Sequence, residues 1–365
     1  MKKSSIKEFD PTSQISQELS LSQGSVQAVV TLLGQGNTVP FIARYRKEVT
    51  GSLDEVQIRT IEERKSYLIE LEDRRQTILE TIHEQGKLTP QLDKEIRACT
   101  TKSSLEDLYL PYKPKRRTRA TIAIEKGLEP LAQLILQQSM TGNPLEEAKR
   151  FINEDKGVHD ISEALKGAKD IVAETVSENS DLRKIVRGKF QEDGILSSSA
   201  VPDKTKEPTK FEQYYEYKEP VAKIPSHRFL AIRRGEREGI LRVELSIENE
   251  QLLAQLNRLM GVKPASPFGD LFKEAIEEAY HRLIVPSIET DIRVGLKLQS
   301  DKDAIDIFAS NLRSLLLAAP LGSQSVIGID PGLRTGCKCV ALDATGKFLE
   351  NNTLYLSQGT NAQEQ

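Results

Sequence analysis

Cations gathered along a short stretch of chain are the residues here whose types and spacing suit chemistry. That chemistry is the grip of a polyanion, because several ammonium or guanidinium groups following one backbone displace its counterions. Three clusters have this form. Pro40 to Lys47 sets Arg44, Arg46 and Lys47 beside Phe41 and Tyr45 in what reads as a loop entering a helix. Leu108 to Arg119 places Tyr109 and Tyr112 near Lys113, Lys115, Arg116, Arg117 and Arg119, with Pro111 and Pro114 holding the chain extended. A proline-stiffened segment loses little entropy on binding, and tyrosine rings offer faces on which unpaired bases stack. Each cluster has a plainer reading beside it. Arg44 and Arg46 can pair with Glu48 or neighbouring carboxylates while Phe41 fills the core, and the second run can be an inter-helix connector with tyrosines packed below and cations in water. The third cluster, Ser226 to Gly239, mixes Arg233, Arg234 and Arg237 with Glu236 and Glu238, which points to internal salt bridging. His227 has no second His or Cys at ligand spacing and reads as structural.

One carboxylate stands in a sharper context. Val326-Ile327-Gly328-Ile329 reads as a short buried strand, and Asp330 ends it at a Pro331-Gly332 turn. Two-metal nucleases anchor their ions on several carboxylates, the first of them on the first strand. Asp343 ends the next strand, and no acidic residue follows on a third core strand, so the expectation is that this chain does not complete such a site. Asp330 is at most a vestigial catalytic candidate, with turn capping as the alternative. No metal or cofactor is expected. Gly328 to Gly332 also fits the first phosphate loop of an actin-like ATPase, a reading weakened by Arg334 and Thr335 where small hydroxyl residues should repeat.

The elements that must position these residues are mostly helices. The chain has 365 residues, more than one hydrophobic core usually supports. Charged residues make up 29%, aromatics 5%, and Trp is absent, which argues against an aromatic-rich β-sandwich. A formal charge of −3 means that any nucleic-acid affinity resides in local patches. Cys99, Cys337 and Cys339 make neither a disulfide framework nor a zinc pair, which fits a reducing cytoplasmic home. Met1-Lys2-Lys3 and the polar residues after it lack the apolar core of a signal peptide, and no apolar run approaches a membrane span, so no membrane partner is expected.

Ile15, Leu19, Val26, Val29, Val30 and Leu33 step by threes and fours around Leu21 to Gly24, predicting a helix-turn-helix-like start. Such a pair is the commonest way to bury two amphipathic stripes against each other, so packing is the default reading and DNA-groove recognition the lesser one. Ser52 and Asp54 cap a long predicted helix carrying Ile61, Leu68, Leu71, Ile78, Leu79 and Ile82, and it stops at Gly86. Further helices are predicted after Thr89-Pro90, at Ser104, from Leu128 to Gln138, after Asn143-Pro144 and from Ile161 to Phe190. Gly194 to Lys210 reads as irregular, Tyr214 to Arg237 as helical, Ile240 to Ile247 as a strand, and Pro267 to Leu321 as long helices. Strands then follow at Lys338 to Leu342 and Thr353 to Leu356, before a polar end.

The run Val326 to Gly336 resembles the opening of a YqgF or RuvC-like domain of the RNase H superfamily. Together with Pro40 to Lys47, Leu108 to Ala120 and Ser226 to Gly239 in this order, it is similar to the Tex family over essentially the whole chain. The resemblance implies a mainly α fold: a multi-helical N-terminal scaffold with a helix-turn-helix-like start, then a truncated α/β RNase H-like (YqgF) domain. The expected divisions are 1–200, 201–322 and 323–365. It also implies helix-hairpin-helix elements and an OB-fold beyond Gln365, and a role as an RNA-binding transcription accessory protein. Its partners would be RNA or single-stranded nucleic acid and the transcription machinery. A metal-dependent nuclease is the alternative function, one that needs residues beyond this chain, and the chain itself is expected not to be an enzyme.

Overall fold

The computed structural model describes residues 9–204, 209–320, 322–332 and 336–355. Expectations placed on Met1 to Lys3, on Leu333 to Thr335 and on the polar end from Gln358 lie outside the described residues. The chain divides into two compact units, Met1–Lys297 and Leu298–Gln365. The described residues are mainly helical, with two small antiparallel sheets.

The first unit holds two hydrophobic cores. The earlier core is built by α1 (Thr12–Leu19), α2 (Gln23–Gly34), α3 (Val39–Tyr45), α4 (Lys47–Thr50), α5 (Glu55–Glu84), α6 (Pro90–Ala98) and α7 (Lys102–Tyr109). Its spine is α5, which starts where Asp54 accepts from the Gln57 amide at 2.8 Å while the Gln57 side chain accepts from the Asp54 amide, a capping box. Gly86, at φ 68°, follows its end in the left-handed region that favours glycine. Ile58, Ile61, Leu68, Leu71, Ile78, Leu79 and Ile82 bury one stripe of α5, and Ile15, Val26, Val29 and Ile42 pack in the same core. Thr89 caps α6 as expected. Thr101 rather than Ser104 caps α7: its hydroxyl accepts from the Ser104 amide, so Ser104 is the third residue of the first turn.

The later core begins with α8 (Arg119–Glu125), α9 (Glu129–Gln137), α10 (Pro144–Lys149), α11 (Ile161–Ser177) and α12 (Ser180–Asp193). The helical stretch expected from Ile161 to Phe190 is two helices, because Asn179 leaves the helix and caps α12 by accepting from the Leu182 amide. Two further expectations fail here. The serine-rich stretch after Gly194 contains a regular strand, β1 (Ile195–Ala200), and the segment expected to be helical from Tyr214 opens with β2 (Glu216–Pro220). Helix returns only at α13 (Ser226–Arg237). With β3 (Leu241–Ser246), these strands form an antiparallel sheet in the order β2-β1-β3. Serine is a poor strand former, but Ser198 is satisfied in the interior by donating to the Tyr214 carbonyl at 2.7 Å, and Leu196 supplies the apolar contact. The alternation expected for β3 is present, with Leu241, Val243 and Leu245 buried.

After α14 (Asn249–Leu259), α15 (Gly269–Ala279) passes through a π-turn, Tyr280–Ile284, into α16 (Val285–Leu316) without a break. The Val285 amide donates to the Tyr280 carbonyl, five residues back. The cause lies next in sequence: Pro286 has no N–H, and its ring excludes the carbonyl four residues earlier, so the turn widens.

In the second unit β4 (Val326–Asp330), β5 (Cys337–Leu342) and β6 (Phe348–Leu354) form an antiparallel meander. The run expected to be a buried strand is a strand, but Ile327 and Ile329 are 71% and 62% exposed. Apolar residues on a sheet face call for a covering layer. None packs on this sheet among the described residues of the unit.

Candidate nucleic-acid interface

The passage between the two cores is the basic connector. The earlier core ends at Tyr109 and the later one begins at Ala120. Contrary to the extended run expected throughout, Leu110–Tyr112 continues α7 as a tight 3-10 turn, and the chain from Lys113 to Thr118 belongs to no helix or strand, with extended backbone at Lys113 and Thr118 and a bend at Arg117. The Gln85 side chain donates to the Tyr112 carbonyl at 2.8 Å and pins the start of that stretch. Thr118 caps α8 through a capping box with Thr121, which fixes its end and sets Arg119 on the first turn of α8.

The side chains divide into two sets. Tyr109 is 7% exposed, and the Arg74 guanidinium lies 5.3 Å from its ring centroid, itself tied to Glu106 at 2.6 Å. Its ring therefore belongs to the core, and the stacking role expected of it is withdrawn; Tyr112 is half-buried. Lys115 lies between Glu174 on α11 at 3.3 Å and Glu178, the residue that follows α11, at 2.5 Å, and Arg117 pairs with Glu125 at 3.3 Å. Burial pushes the Glu178 carboxyl up from its ordinary value, an effect that Lys115 opposes, while the two carboxylates raise the Lys115 ammonium against its own desolvation. By contrast, Lys113, Arg116 and Arg119 are exposed and form no ion pair within 4.0 Å among the described residues.

Below the connector lies an ionic junction that the sequence reading missed. Asp107 on α7 accepts from Arg183 at 2.6 Å and from Arg187, both on α12, and Arg187 also reaches Asp291 on α16 at 3.3 Å. Arg183 donates onward to the Ser287 hydroxyl at 2.9 Å. The available signal was a pair of arginines four residues apart, flanking the buried positions Leu182, Val186 and Phe190 of one helix.

The first cluster is helical rather than a loop. Pro40 opens α3, Val39, Ile42 and Ala43 face the core, and Arg44, Tyr45, Arg46 and Lys47 run out into solvent. The pairing of Arg44 or Arg46 with Glu48 is not formed; the Arg46 guanidinium instead sits 5.0 Å from the Phe41 ring centroid, and Phe41 lies 5.4 Å from Tyr45. Tyr45 is 66% exposed, so this cluster does present an aromatic face next to cations. In the third cluster Arg228 pairs with Glu219, Arg233 with Glu236 and Arg234 with Glu238, the internal bridging that its composition indicated. His227 is exposed.

Asp330 is exposed and faces Lys338 across the ladder. Asp343 accepts from the Thr345 hydroxyl at 2.7 Å, the Thr345 amide at 2.8 Å and the Lys347 amide at 3.0 Å, bonds that hold its carboxyl below the usual range and make it a turn residue. Among the described residues no three His, Cys, Asp or Glu side chains gather as a metal site. No described helix is long and apolar enough to cross a membrane.

Comparison with known proteins agrees with this layout. Residues 10–83 match the Tex-like protein N-terminal domain, 139–308 the Tex central region, and 324–365 the Tex protein YqgF-like domain. The chain is 44% identical over 94% of its length to the Bacillus subtilis (strain 168) protein YdcI, covering 48% of that protein. It is 41% identical to the transcriptional accessory protein Tex of Neisseria gonorrhoeae over 95% of this chain and 46% of that one. The human S1 RNA-binding domain-containing protein 1 is 26% identical over 98% of this chain and 37% of its own length. The chain thus spans about half the length of the bacterial relatives. With three successive Tex models matched in order and bacterial Tex proteins similar along nearly all of it, the chain belongs to the Tex family.

Proposed function

We propose that this chain is a nucleic-acid-binding scaffold of a transcription accessory protein, working in the cytoplasm. It grips RNA or another single strand through Lys113, Arg116 and Arg119 on the connector and through Arg44, Arg46 and Lys47 beside Tyr45. The observation that carries the reading is the division of the connector's charges: Lys115 and Arg117 are spent on internal carboxylates, and Lys113, Arg116 and Arg119 remain exposed without ion pairs among the described residues. Unpaired cations along a backbone fixed at both ends are what a phosphate chain needs. The names of the relatives, transcriptional accessory protein Tex and S1 RNA-binding domain-containing protein 1, agree with it. Contact with the transcription machinery belongs to the same proposal. No observation favours the nuclease alternative.

Fluorescence anisotropy with single-stranded RNA across a salt series tests the proposal. The Lys113/Arg116/Arg119 triple alanine variant should bind more weakly, and its log–log salt slope should fall by about 2, given roughly 0.7 per phosphate contact on a single strand. Equal slopes for variant and parent would remove the connector from the interface.

A further inference from the structure

We infer that the connector roofs a pocket for one nucleotide unit, with phosphate at its rim and base inside; this rests on the single-strand reading of the connector given above. A cavity of about 290 Å³ opens beneath Lys113 to Thr118, within the first unit. That volume is near the lower end for small-ligand sites, which run from roughly 300 Å³ upward. Leu110 and Pro114 on the connector and Leu283 on the helix below give the cavity apolar walls. Lys113 and Arg116, the cations without ion pairs, stand at its edge. Arg183 and Ser287 also line the cavity and are already bonded to each other, so that part of the wall is fixed before any ligand arrives.

The π-turn supplies an independent observation. Leu283 lies within it and Ser287 just beyond, so the widened turn forced by Pro286 provides part of the pocket wall. Single π-turns inside longer helices are frequent at ligand sites. The chemistry of the lining then selects the ligand. Glu174 and Glu178 border the cavity but are bridged by Lys115, which lines it too, so the cations left to meet a phosphate are Lys113 and Arg116 at the rim. Apolar walls from Leu110, Pro114 and Leu283 beneath a cationic rim fit a nucleoside monophosphate better than free phosphate.

The test uses the whole chain, with 5′-AMP, adenosine and inorganic phosphate as probes in saturation-transfer NMR at constant ionic strength. AMP should saturate, adenosine should bind more weakly, and phosphate should not saturate over the same range. Arg116→Ala should weaken AMP at least 5-fold. Leu283→Trp, which fills the cavity without touching a charge, should abolish AMP binding and weaken single-stranded RNA 3- to 10-fold with an unchanged salt slope. If phosphate and AMP bind alike, or if folded Leu283→Trp still binds AMP, the pocket is overturned. The triple alanine variant would still report on the connector as a plain electrostatic grip. AMP binding that persists beside an RNA salt slope indifferent to the triple variant would sink the connector reading and leave the pocket standing. Should Leu283→Trp fail to fold, the three-probe comparison on the parent chain and Arg116→Ala decides the matter.

Discussion

The carboxylate of Asp107 and the guanidinium of Arg183 meet at 2.6 Å with both side chains only 6% exposed, and they do so where the two cores of the first unit join. Arg187 shares the same carboxylate. Replacing a buried ion group wholesale by apolar residues is often harmless, but removing one member strands the others without a partner. Asp107→Ala takes the shared carboxylate from buried Arg183 and half-buried Arg187, leaving them to Ser287 and Asp291, and should lose roughly 3–5 kcal/mol. Urea denaturation measures it, and a loss below about 1 kcal/mol would mean that solvent reaches the junction and replaces the carboxylate.

Stability and binding should separate along the connector itself. Lys115→Ala breaks the contact with Glu174 and Glu178, whereas Arg116→Ala breaks no ion pair among the described residues. Lys115 is about one-third exposed, so its loss should cost no more than about 1 kcal/mol and leave the RNA salt slope near that of the parent. Arg116→Ala should do the reverse, with unchanged stability and a flatter slope. Thermal melts and salt-series anisotropy on the two variants decide it; identical behaviour would mean that Lys115 leaves its carboxylates to meet phosphate.

Close packing of α11 on α8 and α9 depends on Gly167. A Cβ added there would lie 2.3 Å from the Leu128 Cδ1 and 3.3 Å from the Ala123 Cβ. Ala has the higher helix propensity by roughly 1 kcal/mol. Leu128 is buried, so the clash should outweigh that gain, and Gly167→Ala should destabilise by about 1–3 kcal/mol. A stabilised variant would show that Leu128 has room to rotate away.

Tyr280 gives the fold an alkaline limit. The ring is buried, its hydroxyl donates to the exposed Asn249 at 2.7 Å, and burial pushes its pKa from 10.0 up to about 12. A phenol that binds its proton more tightly when folded contributes stability in full below pH 10, and that contribution disappears as the pH rises toward about 12. The amount at stake is roughly 2–3 kcal/mol, at about 1.4 kcal/mol per unit. Tyr280→Phe should be less stable than the parent near neutrality and close the gap at high pH. Parallel stability curves for the two proteins across that range would contradict this.

Where periodicity and capping agree, the sequence was legible. Asp54, Thr89 and Asn143 begin helices where their side chains indicated, and the alternation Leu241, Val243, Leu245 marked β3. Strands β1 and β2 were not legible because their signals come from partners far along the chain. Ser198 tolerates burial only through the Tyr214 carbonyl, and β2 lies at the sheet edge with charged Glu216, Lys218 and Glu219. The connector's charge was visible in sequence, but its apportionment was not. Nothing local tells that Lys115 meets Glu174 on α11, some sixty residues on, while the adjacent Arg116 meets no carboxylate among the described residues. Tyr109 was misjudged for the same reason, since Arg74 covers its ring from another helix.

The stretch from Lys113 to Thr118 is also the thinnest covalent tie between the two cores. Trypsin should cut first after Arg116, where the side chain is exposed and the backbone belongs to no helix or sheet; the Lys113-Pro114 bond resists it. Because Asp107, Arg183 and Arg187 bridge the same seam without using that backbone, the nicked halves should travel as a single particle through gel filtration and part only in denaturant.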